Sequence, residues 1–390
     1  MKRVAILGAT GSVGCSTLRL LADRRDRFEV VFLAAHRSEQ ALLEQVAAND
    51  CPYACLSGVS KPPSAKGCQV FSGATGILEG LEASTPDLVL NAITGAAGLE
   101  ASAWTLEQDK NLLLANKESL VVAGPLLRRL AHDGDGRILP VDSEHAAIHQ
   151  CLRGEREADL RRVYLTASGG PFRDLPTEDF LAITPKEALN HPTWDMGPRI
   201  TVGSATLMNK AFEVIEAHWL FGLSAEQIEV VVHRQSIVHS LVEFRDGSVM
   251  AQLGVPDMRV PILYCLGWPG RLDFDFSPFN VHSFAHLTFE EADRARFPAL
   301  DLGYHCLELG GTAGAVLNAA DEVCTHAFLD GRIPFPRIVE TVERVLASHT
   351  SGSGARSGVN LPFVREVESV AQVLEVDTWA RNEAKLWTQH

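Results

Sequence analysis

The sequence predicts an α/β protein in three parts: a doubly wound parallel sheet, a central α+β domain with a mostly antiparallel sheet, and a C-terminal helical bundle. Three observations carry this reading. Up to about residue 145, short apolar runs alternate with amphipathic segments of helical period. From about 160 to 267 strands dominate, two of them joined by the hairpin turn Asp246-Gly247. Beyond about 299 the period is helical to the end.

In the first part, Val4–Leu7, Val30–Leu33, Leu88–Leu90, Leu112–Leu114 and Ile138–Val141 read as buried strands. Val13–Ala22, Glu39–Ala48 and Ser119–Ala131 read as the helices between them. Gly8-Ala-Thr-Gly-Ser-Val-Gly14 follows the first strand directly and opens the first helix. Backbone N–H groups at such a turn suit a pyrophosphate, so residues 1–145 are expected to form a Rossmann-like dinucleotide domain. The second strand ends in Ala34-Ala-His-Arg-Ser38, without the acidic residue that binds a free ribose hydroxyl. Arg37 and Ser38 suit a 2′-phosphate instead, which points to NADP over NAD.

Two polar clusters stand at predicted carboxyl ends of strands, where open α/β sheets bind ligands: Asn116-Lys-Glu-Ser119 and Asp142-Ser-Glu-His145. In extended chain the side chains of Asp142 and Glu144 point the same way. The pair suits a divalent ion on oxygen ligands, and equally the acidic first turn of a helix.

Residues 146–268 are expected to form the second domain, with strands at Arg162–Thr166, Ile228–Val232, Ser236–Phe244 and Ser248–Leu253. Its central stretch, Gly203–Glu216, predicts one apolar helix capped by Ser204 or Thr206. Met208, Phe212, Ile215 and Trp219 share a stripe, and Asn209, Lys210, Glu213 and Glu216 form a polar wedge. That wedge is either a solvent face or the lining of an internal cavity. The loop from about 168 to 199 carries Ser168, His191, Trp194 and Met196 between glycine and proline hinges, and reads as a surface loop or a mobile lid. A linker spans 269–298. Helices follow at about 299–309, 312–329, 335–348 and 366–387, with a flexible Ser/Gly loop at 351–358.

Composition is that of a soluble globular protein, 46% hydrophobic and 22% charged, and the formal charge of −14 argues against nucleic-acid or anionic-membrane partners. The scattered cysteines, 8 in all, read as reduced thiols, and the chain enters a strand at once with no visible targeting segment. A cytoplasmic location is expected. An NADP dehydrogenase without rearrangement and a non-catalytic NADP sensor are the rival readings.

Taken together the motifs resemble the 1-deoxy-D-xylulose 5-phosphate reductoisomerase family over nearly the full length. The carriers are the glycine turn, Ala115–Ser119, Pro140–His145, Ser168–Phe172, His191–Trp194, Ser204–Lys210, Pro256–Met258 and Gly311–Ala320. The resemblance implies conversion of 1-deoxy-D-xylulose 5-phosphate to 2-C-methyl-D-erythritol 4-phosphate, using NADPH and Mg²⁺ or Mn²⁺, in a homodimer. It implies Asp142, Glu144 and Glu213 as metal ligands, and Lys117 and Ser143 at the reacting end. Ser168, His191, Ser204, Asn209 and Lys210 would hold the phosphate and nearby hydroxyls, with Trp194 and Met196 above them. Thr10, Gly11, Ser12, Val13, Arg37, Ser38, Asn116 and Glu118 would bind NADPH. Three positions depart from the family's common pattern: His36 stands for a glycine, Arg199 for a lysine and Arg234 for a proline.

Overall fold

The computed structural model describes residues 1–194, 197–276, 280–282, 284–351 and 364–389. Met196 and the Ser/Gly stretch from 352 onward lie outside the described residues. Packing divides the chain into two compact units: residues 1–116, 127–146 and 257–274 form the first, and 117–126, 147–256 and 275–390 the second.

The first unit contains the strands β1 (Lys2–Leu7), β2 (Phe28–Ala35), β3 (Tyr53–Leu56), β4 (Gln69–Ser72), β5 (Leu88–Asn91), β6 (Asn111–Leu114) and β7 (Ile138–Pro140). All are parallel, in the order β4-β3-β2-β1-β5-β6-β7. The chain winds outward from β1 to β4 and restarts at β5 on the other side of β1, which puts the switch point between β1 and β5. The interleaved helices are α1 (Ser12–Ala22), α2 (Glu39–Ala48), α3 (Gly76–Ser84) and α4 (Leu99–Glu107). Ala5, Leu7, Phe32, Ala34 and Val89 pack one face of the sheet against Leu81 and Ala101. Near-continuous burial along β1, β2 and β5 is what parallel strands covered on both faces require.

Helix α5 (Lys117–Asp133) is interrupted at Ala123, whose φ of −143° is not helical, two residues before Pro125. Its first part belongs to the second unit. Helix α6 (Ser143–Cys151) follows β7.

Among the described residues of the second unit, β8 (Leu160–Ala167), β9 (Ile228–Val232), β10 (Val238–Phe244), β11 (Val249–Leu253) and β12 (Glu290–Glu291) form a sheet ordered β11-β10-β8-β9-β12. Its pairings are antiparallel except β8 with β9, so the sheet is mixed, with the β10–β11 hairpin where the Asp246-Gly247 turn places it. The helices are α7 (Pro185–Ala188), α8 (Pro198–Thr206), α9 (Met208–Phe221), α11 (Ala299–Leu309), α12 (Ala313–Leu329), α13 (Arg337–Ser351) and α14 (Val370–Trp387), while α10 (Arg259–Gly267) counts with the first unit. No helix of the described residues is long and apolar enough to cross a membrane.

The single helix expected over Gly203–Glu216 is instead two. Leu207 adopts the left-handed conformation at φ 62° and separates α8 from α9. Such a backbone costs a non-glycine residue about 1–2 kcal/mol. The Thr206 hydroxyl accepts from the Met208 N–H, and Leu207 is buried, so local bonding and packing hold the break. Helix α9 is seated by close backbone approach: a Cβ on Gly303 of α11 would fall 2.6 Å from the Ala211 carbonyl oxygen. A Cβ on Gly124 of α5 would meet the Trp219 ring. All eight cysteines are free thiols.

Candidate active site

In the second unit the site is built around Glu213, which is almost completely buried on α9. Asn209 Nδ2, one turn earlier, donates to Glu213 Oε1 at 2.6 Å. Lys117 Nζ, at the start of α5, donates to the same oxygen at 3.1 Å. Lys210 Nζ donates to Glu213 Oε2 and, at 2.6 Å, to the Thr166 carbonyl at the end of β8. The polar wedge of this helix is therefore an interior feature, as expected where a charge leaves water only with partners. Its fourth member, Glu216, is fully buried.

A second cluster centres on His191. Its Nδ1 accepts from the backbone N–H groups of Thr193 and Trp194, at 3.1 and 2.9 Å. The proton of the neutral ring therefore sits on Nε2, which lies 3.1 Å from both Ser168 Oγ and Ser204 Oγ. The turn that delivers Ser168 needs glycine twice: Gly169 and Gly170 have φ of 81° and 70°, and a Cβ on Gly170 would lie 2.7 Å from the Ser204 carbonyl oxygen. Two hydroxyls and an imidazole N–H so converge on one point, a donor set suited to an anionic oxygen. The Trp194 indole lies 6.5 Å from the His239 ring.

Burial, with the Arg173 charge adding to it, pulls the His191 pKa down to about 4. A depressed folded-state pKa adds stability that is complete above the unfolded value near 6.5 and is lost as pH falls toward 4. Nitrogen-15 NMR of labelled protein is expected to show His191 as the neutral Nε2–H tautomer from pH 8 down to about 5. A ring titrating near 6.5 would contradict this environment.

The rest of the 168–199 loop is anchored where it is described. Phe172 packs edge-on to Phe335, and Phe180 packs on Phe297 and Phe335. Arg296 donates to the carbonyls of Phe172, Arg173 and Leu175.

Arg199, on the first turn of α8, is buried. Its guanidinium donates to Glu118 at 3.1 Å, to Glu322 at 3.0 Å and to Asn318 Oδ1 at 2.7 Å, with the Asp321 carboxylate 3.6 Å away. Arg381 extends this network by gripping Glu322 and Asp377. Burial pushes the Asp321 carboxyl up to about 6 against the opposing pull of Arg199. Glu118 is thus one of the Arg199 partners.

In the first unit, Thr10 to Val13 form the turn after β1 and the opening of α1, which no side chain caps. Gly8 has φ 78°, and a Cβ there would fall 2.5 Å from the Ala92 carbonyl oxygen, so the turn lies tight against the end of β5. Asn116, at the end of β6, donates to the carbonyls of Ile93 and Gly95 and fixes the loop that borders this crevice. Arg37 and Ser38 are exposed at the end of β2, and the Ser38 side chain does not cap α2.

Asp142 and Glu144 do not lie on an extended strand. β7 ends at Pro140 and α6 begins at Ser143, so the two carboxylates straddle a helix start. The reason is backbone bonding: the Ala146 N–H already reaches the Asp142 carbonyl at 2.8 Å. They still offer oxygens within 4.8 Å of each other, and Ser143 Oγ donates to Glu144 at 2.5 Å.

Residues 4–124 match the family model of 1-deoxy-D-xylulose 5-phosphate reductoisomerase, residues 138–221 that of its C-terminal domain, and residues 253–383 a further DXP reductoisomerase C-terminal domain. The chain belongs to the 1-deoxy-D-xylulose 5-phosphate reductoisomerase family. Reductoisomerases of Anaeromyxobacter dehalogenans and Chlorobaculum tepidum are 48% and 44% identical to it, over 99% of this chain and 97% and 99% of theirs. A Zymomonas mobilis reductoisomerase in complex with NADPH superposes with a TM-score of 0.90 at 37% identity, covering 100% of this chain and 99% of that one. Another, in complex with NADPH, fosmidomycin and magnesium, gives 0.90 at 35% identity over 100% and 98%.

Several reductoisomerase site contacts here had no sequence signal. The Thr166 carbonyl that holds Lys210 is a main-chain atom, and the Arg199 partners at 318–322 lie far along the chain.

Proposed function

We propose that Asp142, Glu144 and Glu213 hold a divalent metal, and that Lys117 and Ser143 serve the reacting end of 1-deoxy-D-xylulose 5-phosphate. The chain is an NADP-dependent oxidoreductase that converts this substrate to 2-C-methyl-D-erythritol 4-phosphate. The observation that carries the residue roles is the convergence of Lys117, Asn209 and Lys210 on the buried carboxylate of Glu213.

The donor set fits a hard ion. It consists of carboxylate oxygens alone, with no thiol or imidazole, which suits Mg²⁺ or Mn²⁺. The uncapped start of α1 and the basic end of β2 fit NADPH. When bound, the ion supplies Lewis acidity at the ketose carbonyl and NADPH supplies the reducing equivalent.

The protein's own groups do the rest. Lys117 places positive charge beside Glu213, where the substrate's oxygens gather negative charge. His191 Nε2–H, Ser168 and Ser204 grip the phosphate, which is remote from the bonds that change. Because His191 is neutral, it orients the phosphate by hydrogen bonding, and Lys210 provides the charge. Asn209 holds a substrate hydroxyl, and Trp194 excludes water from above.

By this division, residues 1–145 bind NADPH and contribute Lys117, Asp142, Ser143 and Glu144, residues 146–268 contribute Glu213 and the other substrate groups, and the helices from 299 on support them. The test is NADPH oxidation with 1-deoxy-D-xylulose 5-phosphate, with and without Mg²⁺ or Mn²⁺. Turnover strictly dependent on both supports the assignment, and metal-independent turnover rejects it.

We also infer a homodimer. Strand β11 is outermost in its sheet and exposes Val249, Met250 and Leu253, an edge that invites a second copy. Light scattering is expected to give about twice the 42.4 kDa chain mass, and a monomer mass refutes the inference.

A further inference from the structure

We infer that His36, held by Ser57 over a bare Gly58, is a specificity-determining residue that reads the adenosine 2′-phosphate alongside Arg37 and Ser38. This rests on the NADPH reading of the end of β2 given above. In a doubly wound sheet that strand end faces the adenosine ribose, so its side chains decide between a free hydroxyl and a phosphate.

Three observations carry the inference. His36 is exposed, and its Nδ1 lies 3.2 Å from Ser57 Oγ in the loop after β3, so the ring is tethered through that nitrogen. The backbone of that loop is tied to the same strand end, with Ser57 N–H donating to the Ala35 carbonyl and Gly58 N–H to the His36 carbonyl. A Cβ on Gly58 would fall 2.6 Å from His36 Cε1 and 2.7 Å from Arg37 Cγ. One point in space therefore touches both side chains, so His36 and Arg37 lie as neighbours on a floor that only glycine leaves open.

The chemistry follows from the tether. When the Ser57 hydroxyl donates to Nδ1, the ring proton sits on Nε2 and is free to donate to a phosphate oxygen. The hydroxyl of Ser38, which does not cap α2, and the backbone N–H groups at the start of that helix complete the anion-binding set. A 5′-phosphate adenosine without the 2′-phosphate gains nothing from His36.

The experiment is calorimetric titration of the full-length protein with adenosine 2′,5′-bisphosphate and, separately, with adenosine 5′-monophosphate. The wild type is expected to prefer the bisphosphate. His36→Ala is expected to weaken the bisphosphate roughly five- to tenfold while leaving the monophosphate within about twofold. Ser57→Ala should shift the same ratio in the same direction by a smaller factor, because it frees the ring without removing it. Equal losses for both ligands in His36→Ala would mean that the ring stacks on adenine, and this overturns the inference. No loss for either overturns it as well. A wild type that binds both ligands equally would reject the NADPH reading itself.

Discussion

Replacing Glu213 by Gln is expected to lower turnover by at least about a hundredfold across a full Mg²⁺ or Mn²⁺ titration. The amide keeps the shape of the side chain but removes the charge that a hard cation needs. It also leaves two buried ammonium groups, Lys117 and Lys210, facing a neutral partner. The midpoint of unfolding should therefore fall as well, while circular dichroism still reports a folded protein. Near-normal turnover at limiting metal would show that Glu213 is not a ligand.

Replacing Arg199 by Met is expected to destabilise the protein by about 3–5 kcal/mol, the usual effect of removing one partner from a buried ionic cluster. Glu118 and Asp321 would then lose the guanidinium, and Glu322 would keep only Arg381 of its two arginines, which also engages Asp377. Arg199→Lys keeps the charge but cannot reproduce the fork that reaches Glu118, Glu322 and Asn318 together, so its loss should be smaller. Urea unfolding of the three proteins measures the order. If the Met variant is as stable as wild type, the network is not what holds α8 to α12.

Much of this arrangement can be read from the chain because local chemistry decides it. The five strands expected in the first sheet are present, and helices at 39–48 and 299–309 fall on their expected bounds. β3 and β4 were not anticipated, since each is four residues long and β4 is only partly buried at the sheet edge. The break at Leu207 was hidden because leucine rarely adopts left-handed backbone, and long-range packing overrides its propensity. Asn209, Lys210 and Glu213 share a face by helical spacing alone, so that part of the site survives the break. The Arg199 network and the His191 tautomer depend on partners that no spacing rule brings together.

The central claim is that this chain rearranges a carbon skeleton before it reduces it. Turnover of carbon-13-labelled 1-deoxy-D-xylulose 5-phosphate with NADPH and Mg²⁺, followed by carbon NMR of the product, tests that directly. A branched product, with the labelled carbons newly bonded as in 2-C-methyl-D-erythritol 4-phosphate, is the predicted result. An unbranched sugar alcohol phosphate, reduced at the original ketone, would contradict it.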